Sequence, residues 1–159
     1  MKTQQEQFDR VWQRVHPGEV PACAGPVSCP TPLPELAAEA LWAAEEFSRL
    51  ARGAAGMTAR RLRTLAQEKR AQAVLLRGLC TVTGSSLPPV KPRRDKGGSL
   101  RQALRQGCVR ELRWLERCRE QQAEAFGPVL AGVVQRQQVC CQVLLELLGE
   151  SERPARPRR

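Results

Sequence analysis

Residues 58–84 read TARRLRTLAQEKRAQAVLLRGLCTVTG. Leu62, Leu65, Glu68, Gln72, Leu75 and Leu79 recur every three or four residues, the spacing of one face of an α-helix. Thr58 is a good N-cap, Met57 and Leu62 are placed for a hydrophobic staple, and Gly84 suits the end. The stretch therefore predicts a helix from 58 to about 83. Its apolar face carries two polar residues, which sets the functional question.

The same reading extends in both directions. Upstream, Leu36, Ala40, Ala43, Phe47 and Leu50 stripe a helix from about 34 to 52, with Pro34 in its first turn and Gly53 at its end. So few loop residues separate the two that they form an antiparallel hairpin. Downstream, Ser99 and Gln102 make a capping-box pattern that opens a third helix striped by Leu100, Leu104, Cys108, Glu111, Leu115 and Cys118. A fourth runs from about Pro128 to Gly149, with Leu130, Val133 or Val134, Gln137, Cys141, Leu144 and Leu148 on its stripe. No strand pattern competes. The expected fold is all-α, a bundle of four helices each roughly 30 Å long. The 14-residue linker 85–98 reaches about 45 Å when extended. It can cross the whole bundle, joining two antiparallel hairpins by one long crossover.

The expected organisation has three parts. Residues 1–33 hold a short helix, with Phe8, Val11, Trp12 and Val15 on one face, and a Pro-rich linker. Residues 34–149 form the bundle. Residues 150–159 are a basic disordered tail. No apolar run reaches the roughly 18 residues that span a bilayer, and the polar start MKTQQEQF lacks the apolar core of a secretory signal. A cytoplasmic protein without a membrane segment is expected.

Charge and cysteine content narrow the functions. The net charge is +10, but KPRRDK (91–96) and SERPARPRR (151–159) each carry +3, leaving +4 over the other 144 residues. These segments are the only basic arms for nucleic acid, and aromatics are too few for a stacking platform. Seven Cys with no secretory signal suit a reducing compartment. Cys80, Cys108, Cys118 and Cys140 fall on or beside apolar faces, where small core residues are expected. The one His, His16, excludes any site needing two imidazoles. No Ser-His-Asp arrangement or Gly-rich phosphate loop is present, so hydrolase and nucleotide-binding readings have no support.

Two internal matches suggest a duplicated hairpin. Residues 72–79, QAVLLRGL, mirror 141–148, CQVLLELL, at an offset of 69, and Glu39 and Trp42 mirror Glu111 and Trp114 at an offset of 72. Glu68, Glu111 and Gln137 each fall centrally on an apolar stripe. An inward carboxylate needs a metal, another cation or a proton, because burying it ionised and alone costs several kcal/mol. A slight rotation of the helices would instead leave Glu68 and Glu111 at the stripe's edge, reaching toward Arg residues.

Across all four helices, residues 34–149 resemble a rubrerythrin-type member of the ferritin-like superfamily. Leu65-Ala-Gln-Glu-Lys-Arg-Ala-Gln72 is similar to that family's L-A-x-E-x-x-H-A. The resemblance implies a dimetal centre of four carboxylates and two imidazoles. Glu68 and Glu111 match two carboxylate positions. The first-helix position falls on Glu39 by the duplication, or on Ala40 by the seven-residue spacing to Phe47. Ala71 and Cys140 stand where the two His belong, Gln137 stands at the fourth carboxylate, and Cys118 replaces an aromatic. The residual metal positions are therefore Glu39, Glu68 and Glu111.

The leading expectation is a ferritin-like bundle without a complete di-iron centre, acting as a binding or structural protein, as a homo-oligomer or with a protein partner. One alternative is a reduced carboxylate site that holds iron or another divalent metal and performs redox or peroxide chemistry. Another is a nucleic-acid binder using the basic arms.

Overall fold

A computed structural model of the chain describes residues 33–89, 97–124 and 126–152. These form four α-helices: α1 (Leu33–Gly53), α2 (Gly56–Thr83), α3 (Leu100–Glu124) and α4 (Gly127–Glu152). No strand occurs among the described residues. The expected N-terminal helix around Phe8, Val11, Trp12 and Val15, the basic segment 91–96 and the tail from 153 lie outside them.

The helix ends follow local chemistry. Gly56 takes a left-handed φ of 57°, which lets the chain reverse through Ala54 and Ala55 alone. Helix α2 accordingly starts two residues before Thr58, with Ala55 as its extended N-cap and no side-chain cap. Met57 is 62% exposed, so the expected staple does not form. At the far end Gly84, at φ 68°, closes α2. Its N–H donates to Thr81 O at 3.3 Å and the Ser85 N–H donates to Cys80 O at 2.9 Å. Ser99 caps α3 as expected, its Oγ accepting from the Gln102 N–H at 3.2 Å. Helix α4 continues past Gly149, and the Ser151 hydroxyl donates to Leu148 O at 2.7 Å.

Helix α1 packs on α2 and α3 on α4, while α2 also touches α4 and α1 touches α3. Side-chain pairs give the directions. Arg61 at the start of α2 pairs with Glu150 at the end of α4, at 2.9 Å. Glu46 in α1 pairs with Arg110 in α3 at 2.6 Å, and Glu39 lies earlier in α1 against Arg117 later in α3. Each contacting pair is therefore antiparallel. One half of the core joins Phe47, Leu50, Leu62, Leu65, Leu104, Leu144 and Leu147. No helix among the described residues is long and apolar enough to cross a membrane.

Helix α2 departs from the expected face. Its buried set is Ala59, Leu62, Leu65, Ala66, Lys69, Gln72, Ala73, Leu76 and Cys80. Leu75 is 43% exposed, Leu79 is half-buried, and Glu68 is half-buried rather than central. The buried stripe is centred about half a residue, roughly 50°, from the one read from sequence, since Leu62, Leu65 and Gln72 belong to both. Lys69 takes the inward place expected for Glu68.

Candidate functional site

The buried polar residues of mid-bundle come from three helices: Lys69 of α2, Glu111 of α3 and Gln137 of α4. Lys69 Nζ lies 2.8 Å from Glu111 Oε2, and the two side chains are 1% and 2% exposed. The ammonium also donates to Gln137 Oε1 at 3.2 Å and sits 3.5 Å from the centroid of the Trp114 ring. An ammonium has three N–H donors. Here they meet one carboxylate, one amide oxygen and one π-face, so the charge is fully received without water.

Gln137 completes the frame. Its Nε2 donates to Glu111 Oε2 at 2.9 Å and to the Glu111 backbone carbonyl at 3.2 Å, with Cys141 Sγ at 3.7 Å. Trp114 is held in turn by its indole N–H, which donates to Leu36 O of α1 at 3.1 Å. The other Glu111 oxygen meets Arg110 Nε at 3.4 Å. Arg110 pairs with Glu46 and lies 4.3 Å over the Trp42 ring. The cluster thus joins residues of all four helices.

The electrostatics match this geometry. Burial alone would raise the Glu111 pKa. The Lys69 charge and hydrogen bond, Arg110 and Gln137 outweigh it and hold the carboxyl below its ordinary value. Glu46 goes the other way: burial raises it despite Arg110. Some buried atoms here have no hydrogen-bond partner among the described residues: Arg110 Nη2, Glu46 Oε2 (which is ion-paired with Arg110), and both amide atoms of Gln72, which is wholly buried one turn beyond Lys69.

The three carboxylates that the resemblance names do not gather. Glu39 points outward and pairs with Arg117, its side chain 41% exposed, while Ala40 is the wholly buried residue of α1 at this position. The spacing to Phe47, rather than the duplication, gives the inward register. Glu68 lines a surface groove between α2 and α4. Only Glu111 is in the core, and its partner is an ammonium. Among the described residues no group of three His, Cys, Asp or Glu is placed to hold a metal ion. The donor set does not fit a dimetal centre, since both Glu111 oxygens already face cationic or amide N–H donors and Lys69 brings positive charge to the same point.

The duplication also shifts. Lys69 and Gln137 are the paired inward residues of α2 and α4, an offset of 68 rather than 69. The repeated VLL segments therefore bury different leucines, Leu76 in one and Leu144 in the other, while Leu75 and Leu145 are exposed.

The described cysteines Cys80, Cys108, Cys118, Cys140 and Cys141 are buried. Burial pushes the Cys118 and Cys140 thiols up to about 12 and Cys141 up to about 11, and raises Cys108. A nucleophilic thiol needs the opposite shift. These side chains are packing residues. Periodicity alone does not find Lys69. The signal that could have found it is Glu111 itself: an inward carboxylate demands a cation, and Lys69 is the Lys nearest the bundle's middle.

No family model matches the chain, and no curated protein or solved structure matches it.

Proposed function

We propose that the chain is a ferritin-like bundle of rubrerythrin type in which an internal ammonium fills the mid-bundle cation place. It works as a binding or structural protein through its surface, without metal chemistry. The observation that carries this reading is the 2.8 Å contact of Lys69 with Glu111, both side chains almost wholly buried. A bundle that bound metal at this level would have to expel that ammonium and leave it buried without a counter-charge.

The antiparallel contacts of α1 with α3 and of α2 with α4 support the ferritin-like connection, because α2 and α3 then run in the same direction. The 14-residue linker 85–98 is long enough for that connection, about 45 Å when extended. The raised, buried thiols suit a reducing compartment such as the cytoplasm.

Thermal unfolding with and without ferrous or manganous ions tests the reading. A ligand that binds only the native state raises the midpoint. The expected result is an unchanged midpoint. A rise of several degrees that saturates with metal would contradict it.

A further inference from the structure

Helix α2 turns a lysine and an unpaired glutamine inward while leaving Val74 67% and Leu75 43% exposed. Apolar surface is thus left outside a core that took polar residues instead. Beside it, α2 and α4 frame a groove of about 550 Å³ lined by Arg61, Leu65, Glu68, Arg136, Val139 and Cys140, among others. Val139 is 58% exposed. Helical register continues the apolar strip past the groove: Leu75 lies seven residues after Glu68, and Val129, 46% exposed, seven before Arg136.

Two charges in this groove are distinctive. Neither Glu68 nor Arg136 has an ion-pair partner among the described residues, whereas Arg61 is already paired with Glu150. Because Lys69 and Gln137 are level on antiparallel helices, Glu68 and Arg136 lie only about 3 Å apart along the bundle axis. A two-fold axis running along the groove would lay α2 of one copy over α4 of another. Glu68 would then face Arg136 of the partner subunit and Arg136 would face Glu68 of the partner subunit, the reciprocal contact that a two-fold interface requires. The exposed Val139 side chains would be covered at the same time. Two helices about 40 Å long offer a strip of roughly 800 Å² per copy, the usual size of one side of a stable interface.

We infer that the α2–α4 groove is a homodimer interface, closed by reciprocal Glu68–Arg136 pairs around an apolar centre. Arg61 and Arg136 against Glu68 and Glu146 balance the groove's own charges in a chain of net charge +10, so it is a face on which two such chains can approach without local repulsion. An acidic protein partner would find no net positive charge there. The inference rests on the surface-binding part of the function proposed above. It is separable from the metal-free part, because oligomeric state and metal content are read by different measurements.

Sedimentation equilibrium on the full chain, with thiols kept reduced, tests it. Wild type should be a dimer. Glu68→Arg and Arg136→Glu each place two like-charge pairs in a two-fold interface, and each should weaken dimerisation at least about tenfold. The double variant Glu68→Arg/Arg136→Glu restores opposite charges and should restore the dimer. Circular dichroism would confirm that each variant keeps its helices. A monomeric wild type would overturn the inference and leave the face to a different partner. Single reversals that dimerise like wild type would show that another face is used. A double variant as weak as the singles would refute the reciprocal pairing.

Discussion

Lys69 Nζ sits 2.8 Å from Glu111 Oε2 and 3.5 Å from the centroid of the Trp114 ring, in a layer where both charged side chains are almost wholly buried. This one relationship joins α2 to α3 and supplies the cation that an inward carboxylate needs.

Removing one charge should cost far more than removing both. Lys69→Met takes away the closest counter-charge of the buried Glu111, leaving it only the 3.4 Å contact of Arg110, and should destabilise the fold by about 3–5 kcal/mol in urea unfolding. The double variant Lys69→Met/Glu111→Leu replaces the pair with apolar groups of similar size. It should return to near wild-type stability or exceed it. Additive losses in the double variant would mean that the two side chains do not act as a pair.

Acid should weaken the fold through Glu111. Its carboxyl is held below the ordinary value of 4.5, so the unfolded chain takes up this proton first as pH falls. The stabilisation is complete above the unfolded value and is lost as pH falls through the folded one. Glu46, raised by burial, works in the opposite sense and gains stability as pH falls through its raised value. Unfolding free energy measured from pH 6 to pH 3 should therefore decline, and Glu46→Gln should steepen the decline. The Lys69→Met/Glu111→Leu variant should flatten it.

Gln72 should be a stability defect. Both of its buried amide atoms lack partners. Gln72→Met keeps the approximate volume, removes the unmet hydrogen bonds and should stabilise by about 1–2 kcal/mol. A loss of stability would show that the amide has a partner in solution.

The indole N–H of Trp114 should matter separately from its ring. Trp114→Phe keeps a π-face under Lys69 but removes the N–H donated to the Leu36 carbonyl, a cost of about 0.5–1.5 kcal/mol. Trp114→Leu removes the cation–π contact as well and should cost more, by about 2 kcal/mol for a desolvated pair. Equal losses would mean that the ammonium draws nothing from the ring.

Much of this fold is legible in the sequence because helices announce themselves by spacing and caps. The stripes of α1 and α3 and most of α4 point inward as read, the Ser99 cap holds, and Glu111 and Gln137 sit in the core. The rotation of α2 is not legible. Its inward set and the expected set share Leu62, Leu65 and Gln72, and they separate at Glu68 or Lys69, at Leu75 or Leu76 and at Leu79 or Cys80. Apolar residues on both sides of that boundary blur the stripe, and periodicity cannot choose between neighbours. The choice is made by a tertiary demand: Glu111 needs a positive charge, and Lys69 can deliver one where Glu68 would add a second negative charge. The exposed Leu75, and Glu68 without an ion-pair partner among the described residues, are consequences of that same turn.

In the proposed function, Lys69 and not a metal is the cation of this bundle. The most direct test is elemental analysis of the full-length protein after anaerobic loading with ferrous or manganous ions and desalting. If Lys69 fills that place, no metal is retained. Two equivalents of iron or manganese per chain, lost on Glu111→Ala, would contradict it.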